Sequence, residues 1–131
     1  MNHFYVAHDI THVIAGIGTS SPGEIALSGF MVAMDDNEVN FSALLSSLII
    51  HEAGFGRPTS INSAEVETLS MRGAAELLGQ EMARGAKCTS DFSLVDHFAL
   101  APLPLAEVRA HFGVTEPVNP DDGFHLWDLS S

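Results

Sequence analysis

The chain has 131 residues, 46% hydrophobic and 17% charged, a balance that fits one globular domain with a modest core and excludes a disordered polymer. Five Lys and Arg face seventeen Asp and Glu, a formal net charge of −12 with no local basic stripe, so no nucleic-acid partner is expected. Cys88 is the only cysteine, and no stretch approaches the roughly 20 apolar residues of a membrane span.

In chain order, Val6, Ile10, Val13, Ile14 and Ile17 recur at helical spacing. They predict a first helix with that stripe on its apolar face and with His8 and His12 on the opposite side. Gly16 and Gly18 weaken this helix before the turn Thr19-Ser20-Ser21-Pro22-Gly23. A second helix is expected with Ser21 as N-cap, Pro22 at the first helical position and Glu24 three residues past the cap. Its apolar stripe is Leu27, Phe30, Met31 and Met34. A third helix carries Phe41, Leu44, Leu45, Leu48 and Ile49, the clearest amphipathic pattern in the chain.

A fourth helix is expected from a capping box at Asn62 and Glu65 to Arg84, with Val66, Leu69, Gly73, Leu77 and Met82 on one face. Arg84 and Lys87 are placed to meet its terminal carbonyls, and Gly85 follows its end. Asp91 to Leu100 reads as a short helix with Leu94, Val95 and Phe98 inward. A last helix starts at Pro104 and runs through Val108 and Phe112 to Gly113. No strand alternation or repeat is evident. The expected fold is all-α, a single-domain array or bundle of five to six helices over residues 1–114. An irregular tail follows over 115–131, whose Phe124, Leu126, Trp127 and Leu129 suit an apolar groove.

His8-Asp9-Ile10-Thr11-His12 sets two imidazoles one helical turn apart, which is either a solvated polar pair on the far face of the helix, the commoner case on spacing alone, or the spacing with which two ring nitrogens bind one metal ion. Asp9 lies about 100° around the helix, placed to be a ligand or to orient a histidine. Glu24 has two readings. It either closes a capping box with Ser21 or sits at the edge of a buried seam, where a carboxylate needs a partner. His51-Glu52, His97, His111, His125 and Cys88 each read as surface or hydrogen-bonded structural residues.

His8-Asp9-Ile10-Thr11-His12, then eleven residues, then Glu24 resembles the metal motif of the coenzyme Q biosynthesis protein four family. The Val13-Ile14-Ala15-Gly16 exit, the Gly23-Glu24 pair and Leu103-Pro104-Leu105-Ala106-Glu107-Val108-Arg109 are also similar to the family. The likeness covers roughly Tyr5 to Val114. The resemblance implies a divalent ion, usually described as zinc, on His8, Asp9, His12 and Glu24; iron, manganese and magnesium remain open. It implies work on polyprenylated benzoate precursors of ubiquinone, with removal of the ring carboxylate, and so a metal-dependent lyase or oxidative decarboxylase acting on a hydrophobic aromatic substrate. Family members usually carry a helical segment ahead of the motif, whereas His8 follows only seven residues here. A second copy covering the apolar surface, a homodimer, is therefore expected. Met1-Asn2-His3-Phe4 lacks the pattern of a secretory signal, so a soluble cytoplasmic protein is expected, with peripheral association with the inner membrane left open. The alternative is a non-catalytic module that binds a lipid or quinone precursor, or a scaffold for a biosynthetic complex.

Overall fold

A computed structural model describes residues 2–52 and 73–116. The helices are α1 (Asn2–Ala15), α2 (Ser21–Met34), α3 (Glu38–Ser47), α4 (Ala74–Gly85), α5 (His97–Leu100) and α6 (Leu105–Phe112), and α3 passes into a π-helical turn, Leu48–Glu52. No strand occurs among the described residues, so the fold is the all-α array expected. The expected start of the fourth helix before residue 73, and the tail beyond Glu116, lie outside the described residues.

The core is one cluster. Ile14, Ala15 and Ile17 from α1 and its exit meet Ala26, Leu27 and Phe30 of α2, Leu77 of α4, Phe92, and Val108 and Phe112 of α6. Phe92 sits between Phe30 and Phe112, with ring centroids 6.0 and 5.4 Å apart in tilted geometry. The most extensive helix packing is α2 on α4, followed by α2 on α3. It depends on Gly85, where an added Cβ would collide with the Phe30 carbonyl, and on Gly29, where it would meet Leu78.

Local chemistry explains most element ends. Ser20, not Ser21, caps α2: its hydroxyl accepts from the Gly23 amide, and its carbonyl accepts from the Glu24 amide at 2.8 Å. This one-residue shift moves Glu24 past the capping-box position and leaves its side chain for another partner. Asn37 caps α3, and Asn40 ties that helix back to the end of α2 through the Met31 and Asp35 carbonyls. The Pro104 start and Gly113 end of α6 fall where the sequence puts them.

Expectations about which faces and segments form are corrected too. The buried side of α1 is Ala7, Thr11, His12, Ile14 and Ala15, while Val6 and Val13 are exposed, so His12 lies on the inner face and not opposite it. Gly73 stands at φ 85°, so no helix runs unbroken from Asn62 to Arg84; α4 starts afresh at Ala74. Only one turn of the expected Asp91–Leu100 helix forms, behind the cap Asp96, and Leu94 and Phe98 are exposed. Finally, Phe41, Leu45 and Ile49 of the α3 stripe face outward.

Arg84 does not cap its own helix. It pairs with buried Glu81 at 2.8 Å, lies over the Phe30 ring and donates to the Ala15 and Thr115 carbonyls. Arg109 donates to the Ile14 and Val13 carbonyls at 2.8 and 3.0 Å. The His12 carbonyl accepts from the Gly16 and Ile17 amides. All four carbonyls that a helix C-terminus leaves unpaired are thereby satisfied in α1, two of its neighbours supplying the cations that such an end favours.

Candidate metal centre

α1 and α2 meet in the tight turn between Gly16 and Ser20, which sets His8 and His12 against the first turn of α2. Gly16 takes φ 70°, a left-handed conformation that favours glycine, and Ile17 N–H closes back on the His12 carbonyl. That turn aims the Ile17 carbonyl at His12 Nδ1, 3.0 Å away. A carbonyl only accepts, so Nδ1 carries the hydrogen, and in the neutral ring Nε2 presents a lone pair. This is the arrangement in which a metal-binding histidine is usually held.

His8 Nε2 lies 3.0 Å from Glu24 Oε2, His12 Nε2 lies 3.2 Å from Glu24 Oε1, and the two Nε2 atoms lie 3.2 Å apart. Ligand atoms around one zinc ion, with bonds of about 2.0–2.1 Å in tetrahedral geometry, stand about 3.3 Å from each other. His8 and His12 face different oxygens of the Glu24 carboxylate, and one donor atom from each of the three residues lies within 4.8 Å of the others, a grouping that could hold a single small cation. Three protein donors leave coordination positions for water or a ligand, as in catalytic rather than structural sites.

Asp9 is exposed and stands outside the His8–His12–Glu24 group. Its charge reaches the centre only as the smallest of several influences on His12. Burial by itself would lower the His12 pKa, but the Glu24 hydrogen bond and charge, the Ile17 carbonyl and the Asp9 charge together raise it above the ordinary value. Burial likewise favours a neutral Glu24, yet the hydrogen bonds and charges of His12 and His8 outweigh it and hold that carboxyl at about 2. Both shifts favour an ion pair between the Glu24 carboxylate and a protonated His12 when no cation is bound. A cation bound here would take the proton's place.

His8 and Glu24 also line a cavity of about 430 Å³, within the range of small-molecule sites. Its other walls come from α3 and the π-helical turn (Val39, Ala43, Ile50), from Met31, and from Leu94 and Val95. Sequence reasoning missed the contribution of Ser28 and Ser47 to this wall. Ser28 follows Glu24 by one helical turn, a spacing that puts both on one face and that could have flagged it. Two further histidines are structural: His97 donates to the Phe92 carbonyl at 2.8 Å, and exposed His111 packs edge-on against Phe112. The side chains of His51, Glu52 and His125 lie outside those described. Burial pushes the half-buried Cys88 thiol up against the smaller influence of Arg84, the opposite of an activated nucleophile.

No family model, curated protein or solved structure matches the chain. The reading of the site therefore rests on its own geometry.

Proposed function

We propose that the protein is a metal-dependent enzyme whose centre is His8, His12 and Glu24, acting on an aromatic acid held in the adjoining cavity. The observation that carries this reading is the convergence of three donor residues at 3.0–3.2 Å beside a cavity of ligand size. The motif's resemblance to the coenzyme Q biosynthesis protein four family favours a ubiquinone-type precursor and loss of its ring carboxylate as carbon dioxide. A proton then takes the vacated ring position, or a hydroxyl does so at the expense of an external oxidant. Zinc fits the donor set best, and two histidines with a carboxylate also suit iron. A bound ion supplies a Lewis acid that holds an acidic oxygen of the substrate and stabilises developing negative charge. Glu24, ionised far below neutral pH, serves as a ligand and not as a proton donor. The Ile17 carbonyl keeps His12 in the ligating tautomer, and the apolar walls position the ring and exclude water.

The apolar outer stripe of α3 (Phe41, Leu45, Ile49) supports a second copy of the chain as partner. Among the described residues no helix is long and apolar enough to cross a membrane. A non-catalytic module that binds a quinone precursor would use the same cavity without needing the metal.

Metal analysis of untagged protein separates the two readings. The expected result is about one zinc or iron per chain, lost in His12→Ala and in Glu24→Gln but kept in Asp9→Asn. Removing a direct ligand weakens binding by well over the roughly 10–100-fold typical of an outer partner. Turnover of a 4-hydroxybenzoate-type acid should vanish with chelator and return with metal. Metal-free protein that still binds the acid, with no turnover on metal addition, would establish the non-catalytic module instead.

A further inference from the structure

The walls of the cavity have a property that concerns the ligand more than the ion. Thr11 Oγ1 donates to the Ala7 carbonyl at 2.8 Å, and Ser28 Oγ donates to the Glu24 carbonyl at 2.9 Å. A serine hydroxyl has one hydrogen. The 2.7 Å contact between the Ser28 and Ser47 hydroxyls is therefore donated by Ser47. Asn40 stands against the Met31 and Asp35 carbonyls at 3.2 and 2.9 Å, which only accept, so its amide nitrogen spends both hydrogens there. Ser93 Oγ donates to the Asp91 carboxylate at 2.6 Å.

All five residues line the cavity, and all their side-chain hydrogens are committed within the protein. Lone pairs on Ser47 Oγ and Asn40 Oδ1 meet no donor among the described residues. Ser46, the remaining lining hydroxyl among the described residues, is exposed to solvent, and no lysine or arginine is among the described lining residues. Apart from His8 at the centre itself and exposed Ser46, the described side-chain wall accepts hydrogen bonds and has none to give.

We propose that this cavity selects a ligand whose ring carries a neutral hydrogen-bond donor, a hydroxyl or an amino group, with Ser47 Oγ as its specificity-determining acceptor. An ether or carbonyl at that place would face lone pairs with lone pairs, losing its bonds to water without replacement. A second anionic group would meet the same wall with no cation to receive it. The inference rests on the reading of this cavity as the ligand site of the His8–His12–Glu24 centre, but it can be tested without the ion.

The test uses 4-propylphenol and its methyl ether, 4-propylanisole, which have no carboxylate for a metal to hold. Their affinities are measured by calorimetry on the full chain, metal-loaded and metal-stripped. The wild type should favour the phenol by about tenfold, the contribution of one well-made hydrogen bond. Ser47→Ala should reduce that preference below about threefold through weaker phenol binding, with anisole affinity and metal content unchanged. Ser47→Thr, which keeps the hydroxyl, should retain it. Equal affinity for the two probes, a preference that survives Ser47→Ala, or no binding of either probe overturns the proposal. A chain that holds no divalent ion yet prefers the phenol supports the acceptor wall and sinks the metal reading alone. Bound metal with no such preference does the reverse.

Discussion

His12 joins three kinds of contact at once: its Nδ1 is fixed by a main-chain carbonyl, its Nε2 faces a carboxylate, and its ring is almost fully buried. The consequence for pH follows from the direction of each shift. His12 is raised above 6.5, so its stabilisation of the metal-free fold is complete below that value and is lost as pH rises through the elevated pKa. Glu24 is lowered from 4.5 to about 2, so its contribution is complete above 4.5 and is lost as pH falls towards 2. The two describe one ion pair, whose effect is greatest between 4.5 and 6.5. An ion, by contrast, binds only once the rings are neutral. Thermal melts should show the gap between metal-loaded and metal-free protein widening from about pH 5.5 to 7.5. A gap that narrows over that range would count against a shared centre. Spacing put His8 and His12 side by side, the resemblance of the motif added Glu24 to them, and the place of Asp9 was not legible. Adjacency in sequence says only that a residue lies about 100° around a helix, and here that direction is solvent.

At the scale of elements, α1 shows why the apolar pattern misled. Its inner face is made of Ala7, Thr11, His12 and Ala15 as much as of Ile14, whereas the larger Val6 and Val13 remain outside. A search for the most hydrophobic side of that helix is only partly right: Ile14 and Ile17 are in the core and Ile10 packs against it, but small and polar residues take the places expected of the valines. The Pro104 and Gly113 boundaries of α6 were legible because they follow from backbone chemistry. The clamp on α1 was not, since Arg84 and Arg109 reach it from 69 and 95 residues away. Arg84→Met removes the cation beside buried Glu81 and the donor to the Ala15 carbonyl, and should destabilise the fold by about 3–5 kcal/mol in urea denaturation. Two glycines of α4 should respond in opposite senses. Gly85→Ala collides with the Phe30 backbone and should cost about 1–3 kcal/mol. Gly79 is exposed with nothing near its missing Cβ, so Gly79→Ala should add about 0.5–1 kcal/mol. Chemical denaturation of both variants in parallel checks the contrast.

Among the described residues the packing is asymmetric. The core lies among α1, α2, α4 and α6, while α3 packs chiefly on α2 and leaves Phe41, Leu45 and Ile49 in water. The sequence marked this stripe as the clearest amphipathic pattern, yet the one fully buried residue of α3 is Asn40, and periodicity does not say which body a face is buried against. With a second copy as partner, sedimentation velocity should give a dimer at micromolar concentration and a monomer for Phe41→Glu. A wild-type monomer at those concentrations would remove the homodimer from the proposal.

The carbonyl that holds His12 belongs to the main chain at Ile17. Replacing the side chain at that position leaves the oxygen in place, so the ring's tautomer is insulated from most substitutions along the α1 exit. The vulnerability is transferred to the shape of the turn. A lineage of such proteins could therefore vary widely around this bend in side-chain identity, while any insertion or deletion there would cost it the ion before it cost it the fold.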